Sequence, residues 1–253
     1  MLVRSSRHVA LILTLLTFLT IRPLRNAAGG PPIDRSQALA EQLEFALNAK
    51  TTSALEAILN TQGKKATIDR VQLLTANFPD ARWSIRPGHQ LHDGLLTVDI
   101  TICGQQGDAD PRFTLEAHQR LALRVNEGGV TVQEIISERS ILRSGSATLP
   151  VTLLIPDTVL IGSYYDIDII FDEPLGNAIV AGGLVKLTPD QILNQQSPNI
   201  ILKPLSSGGL FKRIRAPLQS GVQFWAALLV HPQGILAVTK RVRIVVSQDQ
   251  IIL

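Results

Sequence analysis

The sequence has 253 residues, of which 45% are hydrophobic and 18% charged, with a formal net charge of +3. This length predicts one large domain or two ordinary ones, and the apolar fraction suffices for a packed core and excludes a disordered chain. The single cysteine, Cys103, excludes an intramolecular disulfide framework and a cysteine-based zinc site.

The N-terminal segment has the pattern of a secretory signal. Arg4 and Arg7 precede an apolar run over residues 9–21, which as a helix is shorter than the roughly 30 Å hydrocarbon core of a membrane. Small residues at 27–29 offer a cleavage site. We therefore expect residues 1–30 to be a signal peptide and the protein to be exported, to the periplasm or another extracytoplasmic space.

A retained N-terminal anchor at residues 9–21 is the alternative, because Arg22, Pro23 and Arg25 stand unusually between the apolar run and the cleavage site. In both cases the positive charge belongs to this segment. Its four arginines have no acidic counterpart, and residues 31–253 sum to −1. We therefore expect no nucleic-acid partner, since nucleic-acid binding needs a basic face on the folded part of the chain.

The unit at residues 33–145 begins with helices. Apolar residues at helical spacing predict one helix over 36–49 and a third that begins near Thr67 and ends before Pro79. Between them, Ser53 and Glu56 fit a capping box at the start of a short helix.

Long strands follow the helices. The apolar period changes to two, which predicts antiparallel strands at 82–86, 95–103, 112–126 and 130–142. In the last strand the alternation slips between Val132 and Ile135, which indicates a β-bulge.

The order of these elements, together with the stretch from Leu43 to Leu59, resembles the nuclear transport factor 2 superfamily, which includes ketosteroid isomerase and scytalone dehydratase. The resemblance implies an α+β cone fold over residues 33–145. In that fold a long curved antiparallel sheet wraps against the helices and leaves a pocket at its open end. Many members dimerise through the outer face of the sheet, so a homodimer stays open.

Three residues are candidates for binding a small ligand in that pocket. Gln119 interrupts an otherwise apolar strand face, and Glu134 lies near the suspected bulge. In a cone fold either residue presents a polar group to the pocket beside Trp83. The alternative is a rim position at the solvent side, or a local shift of strand register.

The sequence does not favour an enzyme. Isomerases of the superfamily hold an oxyanion with a tyrosine and a protonated acid, and here both tyrosines, Tyr164 and Tyr165, lie outside the cone unit. A dehydratase or isomerase that uses Glu134, Asp99 or His92 remains the alternative. The sequence has neither a serine-hydrolase nor a phosphate-loop motif, so we expect no nucleotide and no cofactor, and no metal site is evident.

Residues 146–253 form a second, all-β unit. Turn signals separate seven apolar segments, which predict strands at 151–155, 164–171, 179–187, 200–204, 210–216, 223–231 and 235–247. Seven strands without a sustained helix resemble the immunoglobulin-like β-sandwich of bacterial proteins. The predicted fold is therefore α+β, with a cone fold followed by a seven-stranded antiparallel β-sandwich.

Charged residues mark this second unit. If two of its strands lie side by side, their cations form a basic patch that docks a partner: Lys212, Arg213, Arg215, Lys240, Arg241 and Arg243. The alternative is the ordinary protection of edge strands by cations. Acidic residues at 166, 168, 172 and 173 fit a solvated strand face better than a calcium site, because their spacing matches no EF-hand loop.

These expectations converge on an exported, non-enzymatic binding or scaffold protein. The cone unit binds a small ligand or dimerises, and the sandwich docks a protein partner. Two alternatives remain: a dehydratase or isomerase of the cone-fold superfamily, and a membrane-associated assembly factor held by residues 9–21.

Overall fold

The computed structural model describes residues 32–49, 51–60, 64–91, 94–106, 112–126, 129–145, 149–173, 178–194, 196–205 and 208–251. Residues 1–31, with the expected signal peptide or anchor, lie outside these ranges, as do His92 and Asp93. Within them, no helix is long and apolar enough to cross a membrane.

Four helices occur in the described ranges, and three of them precede the strands. They are α1 Pro32–Asn48, α2 Ser53–Ile58, α3 Lys64–Asn77 and α4 Pro189–Leu193, with a 3-10 turn at Gln248–Gln250. In α1, Leu39, Ala40 and Leu43 are buried because their spacing of three and four residues places them on one side of the helix.

The predicted capping box is wrong. The residue that caps α2 is Thr52, which has helical backbone angles and makes no side-chain cap hydrogen bond. A capping box does occur at α4. There the Thr188 hydroxyl accepts from the Gln191 backbone N–H, and the Gln191 side chain accepts from the Thr188 backbone N–H.

Strands dominate the part of the chain that the structure describes, at 52% against 22% helix. They are β1 Arg82–Pro87, β2 Leu96–Gln105, β3 Phe113–Asn126, β4 Gly129–Gly145, β5 Val151–Leu154, β6 Thr158–Leu160, β7 Tyr164–Phe171, β8 Ala181–Lys186, β9 Lys203–Pro204, β10 Gly209–Arg215, β11 Gly221–His231 and β12 Gly234–Val245. The sequence missed β6, whose three residues are too few to show a period.

Two sheets are formed, and the larger one runs through both halves of the chain. Its order is β1-β2-β3-β4-β12-β11-β8-β9, with β6 also paired to β12; the smaller sheet has the order β10-β7-β5. The link between the halves is the antiparallel pairing of β4 with β12, from Gly145 opposite Gly234 to Glu138 opposite Arg241.

The predicted fold class, a cone fold followed by a seven-stranded sandwich, is therefore wrong. A cone fold needs a sheet that ends at β4, whereas here β12 pairs with β4 and the sheet continues for four more strands. The physical reason is that β4 has 17 residues, and its backbone N–H and C=O groups need partners once they are buried. The strand that supplies them lies about a hundred residues later in the sequence.

The large sheet has a helix face and a back face. On the helix face, Leu39 and Leu74 from α1 and α3 belong to one apolar cluster with Val98 and Leu121 of the strands. On the back face, the three-stranded sheet packs over β11 and β12, for example through Ile169.

The sheet forks near the middle of β4. Register shifts between Arg120 and Leu121, and between Ala122 and Leu123, show that β4 bulges as predicted from its sequence. The pairing of β4 with β12 stops at Glu138, and β6 pairs in parallel with the end of β12. Bulges bend a strand, so the first half of β4 turns away from β12.

Candidate functional site

The exposed side of the three-stranded sheet is the candidate functional site, and we call it the outer face. Alternation along β7 buries Tyr165, Ile167 and Ile169 against the large sheet, so the residues between them point outward. The outer face consists of Thr152, Leu154, Tyr164, Asp166, Asp168, Ile170, Phe211, Arg213 and Arg215.

Three large apolar side chains on this face are exposed to water. Leu154 is 55% exposed, Tyr164 61% and Phe211 52%, one from each strand. Two cations lie over the tyrosine: the guanidinium carbons of Arg213 and Arg215 are 5.2 Å and 5.9 Å from the centre of its ring. Cation–π contacts of this kind are favourable, and they restrict the positions that the two guanidinium groups can occupy.

The charges of the outer face are separated by strand. Asp166 and Asp168 lie on β7, whereas Arg213 and Arg215 lie on β10. Although Arg213 is directly opposite Asp166 in the ladder, none of these four residues forms an ion pair within the described part of the chain. Partial burial, and then the repulsion of Asp166, raise the pKa of Asp168. The acidic pair is therefore uncompensated.

The six cations of the predicted basic patch do not form one surface. β10 and β12 belong to different sheets, and Lys240, Arg241 and Arg243 are buried at the centre of the large one. Lys240 pairs with Asp157, and Arg243 pairs with Glu134. Only the β10 cations remain exposed, and of these Lys212 lies 5.8 Å from the ring centre of Trp225.

The three predicted pocket residues do not share a site. Trp83 is buried on the helix face, where the Asn48 amide bonds both its backbone N–H and its carbonyl. The Gln119 amide donates to Glu138 at 2.5 Å, while the Glu134 carboxylate is engaged by Arg243. Of the three predicted residues, Gln119 is therefore the one whose polar group lies inside the helix-face core.

Glu138 is a buried ionisable residue of β4 that was not among the residues predicted from the sequence. Burial raises the pKa of Glu138 to about 7, against the opposing effects of the Gln119 hydrogen bond and the charges of Arg241, Arg70 and Lys240. Its Oε2 is buried and accepts no hydrogen bond from any residue that the structure describes. Side chains alternate between the two faces of β4, so Leu142, Ser140 and Glu138 share one face, and all three are buried. The sequence therefore contains the pattern that predicts a buried Glu138.

Two of the three side chains that the enzymatic alternative would use, Asp99 and Glu134, are engaged in ion pairs. Asp99 accepts two hydrogen bonds from Arg120, at 2.6 and 3.1 Å, and Glu134 pairs with Arg243. His92 lies outside the described residues. Among the residues that the structure does describe, no group of three His, Cys, Asp or Glu side chains is placed to hold a metal ion.

Part of the chain matches a known protein family. Residues 146–245 match a family described as "Domain of unknown function (DUF8623)". No curated protein matches the chain. The matched segment runs from just before β5 to the end of β12, so it contains the whole outer face and the strand that joins the two halves of the large sheet.

Proposed function

We propose that the protein is an exported, non-enzymatic scaffold protein that associates with a second copy of itself through the outer face. The observation that carries the proposal is the composition of this face. Leu154, Tyr164 and Phe211 offer apolar area, and the adjacent strands offer equal numbers of carboxylates and guanidinium groups. Exposed apolar side chains framed by charges are typical of interaction surfaces.

A second copy fits this face because its charges complement themselves. A two-fold axis that runs parallel to the strands, between β7 and β10, lays the β7 strand of one copy over the β10 strand of the other. Asp166 and Asp168 of each copy then lie near Arg213 and Arg215 of its partner. These four residues make no ion pair within the described part of one chain, so the intermolecular pairing breaks no ion pair of the monomer.

The size of the face sets the expected strength. Three short strands offer less than the roughly 800 Å² per partner that a standard interface buries. We therefore expect micromolar rather than nanomolar self-association, driven by the apolar residues and oriented by the charges.

Sedimentation velocity over a range of protein concentrations tests this proposal. We expect a monomer–dimer equilibrium that Phe211→Ser weakens by about 10–100-fold, because truncating one buried apolar side chain costs roughly 1.5–3 kcal/mol. The matched control is Phe45→Ser, since Phe45 is 74% exposed on α1 and lies outside the outer face. A monomer at every concentration, or equal weakening by both variants, contradicts the proposal.

N-terminal sequencing of the protein from its native compartment tests export. A mature chain that begins at Gly30 supports a cleaved signal peptide. A chain that keeps residues 9–21 and partitions into membranes supports the membrane-associated assembly factor instead.

A further inference from the structure

A charged groove lies on the back face of the large sheet, away from the outer face. It has a volume of about 410 Å³, and Asp80, Arg82, Cys103, Glu116 and Arg143 are among the residues that line it. Arg82, Cys103 and Glu116 lie directly opposite one another on β1, β2 and β3. The volume falls within the usual range for small-molecule sites.

One wall of the groove is a fixed ion pair. The Arg143 guanidinium donates to Glu116 at 3.1 Å, and the other Glu116 oxygen lies 3.0 Å from Nε2 of His118. The hydrogen bond from His118, supported by Arg143, lowers the pKa of Glu116 although partial burial opposes this. Glu116 is therefore an ionised carboxylate at neutral pH, and its position is held from two sides.

The charged side chains of the opposite wall, Arg82 and Asp80, make fewer hydrogen bonds and ion pairs than Glu116 and Arg143 do. Arg82 is exposed and forms no ion pair with another residue that the structure describes. Asp80 accepts a hydrogen bond from the Gln105 backbone N–H at 2.6 Å, which anchors it at the groove. The groove thus holds two guanidinium groups and two carboxylates around one concavity.

We propose that this groove binds a small zwitterion of about the size of a dipeptide. The ligand carboxylate pairs with Arg82, and its ammonium group lies between Asp80 and Glu116. A simple anion is disfavoured because two carboxylates line the groove, and a simple cation is disfavoured by the two arginines. Only a ligand with both charges complements both walls.

Cys103 provides a built-in reporter of occupancy. It is the only cysteine of the chain and is exposed in the groove, so the rate of its alkylation reports on this place alone. Partial burial, and then Glu116, raise the pKa of the Cys103 thiol. The reaction is therefore slow, and it is followed over a long time at about pH 7, because the amino group of a dipeptide has a pKa of about 7.7–8.0 and must stay protonated.

The test compares three peptides at matched ionic strength: alanyl-alanine, its N-acetyl derivative, which lacks the ammonium group, and its C-terminal amide, which lacks the carboxylate. We expect alanyl-alanine at ten times its Kd to slow alkylation about tenfold, since the free fraction falls by that factor. Neither capped peptide should do so at the same concentration. Calorimetric titration gives the Kd independently.

Two variants test whether the protection depends on the groove or on another part of the same sheet face. Arg82→Gln should abolish protection by alanyl-alanine, whereas Arg86→Gln, on the same side of β1 but outside the groove lining, should keep it. Three results overturn the proposal: equal protection by a capped peptide, unchanged protection in Arg82→Gln, or no saturable signal in both alkylation and calorimetry.

Discussion

Arg241 of β12 lies directly opposite Glu138 of β4, at the last pair that joins the two halves of the large sheet. Both residues are buried, yet the Arg241 guanidinium donates to the backbone carbonyl of Ile135. The hydrogen bond that Glu138 receives comes from Gln119 instead. The junction of the sheet therefore contains a buried carboxyl group whose compensation by positive charge is incomplete.

This arrangement makes the stability of the protein depend on pH. Burial raises the pKa of Glu138 from 4.5 to about 7, so between these values the folded chain holds a proton that the unfolded chain has released. Stability must then fall as pH rises through this window, by about 3 kcal/mol for this group. Urea unfolding at pH 5, 6, 7 and 8 measures the slope. In Glu138→Gln it should flatten, whereas Glu41→Gln, an exposed change on α1, should leave it unchanged. A wild-type slope in Glu138→Gln contradicts the assignment.

Two adjacent tyrosines offer a matched pair for the core between the sheets. The buried Tyr165 hydroxyl donates to Gln223 at 2.7 Å and accepts from the Trp225 indole N–H at 3.0 Å. Tyr165→Phe leaves two buried polar groups without this partner and should destabilise the fold by roughly 1–3 kcal/mol. Tyr164→Phe, one residue earlier and exposed, should change stability by less than about 0.5 kcal/mol. Equal effects on chemical denaturation contradict this packing.

The turn-side end of the β4–β12 pairing is a second point of sensitivity. A Cβ at Gly234 comes within 1.9 Å of the Ser144 carbonyl oxygen, whereas a Cβ at Gly221 meets nothing within 4 Å. Gly234→Ala should therefore destabilise the protein by roughly 1–3 kcal/mol or more, because the strands must separate. Gly221→Ala, also at the first position of its strand, is the control. Equal melting temperatures for the two variants mean that β4 and β12 are not paired here.

How far the sequence predicted this structure depends on the range of the interactions involved. Alternation places Val98, Ile100 and Ile102 on one face of β2 from local pattern alone, and all three are buried as expected. The pairing of β4 with β12 joins residues a hundred positions apart, and no local pattern encodes that choice. It is this pairing that turns two expected units into one continuous sheet.

The charged residues of β12 show the same limit for the candidate site. A run of Lys240, Arg241 and Arg243 in a strand is typical of a solvated edge. In the structure the carboxylates that pair with Lys240 and Arg243 lie in the loop before β6 and on β4. These cations can therefore be buried at the sheet centre. Arg213 and Arg215 of β10, by contrast, are exposed on the outer face and belong to the proposed interface.

The central claim, self-association through the outer face, is tested most directly by mixing two charge-reversed variants. One carries Arg213→Asp and Arg215→Asp, and the other carries Asp166→Arg and Asp168→Arg. Circular dichroism and melting temperature first establish that both fold. We expect each variant alone to sediment as a monomer, because its face is repulsive to itself, and an equimolar mixture to form a heterodimer at least as tight as the wild-type dimer. A mixture that stays monomeric while the wild type dimerises contradicts the claim, as does dimerisation of either variant alone.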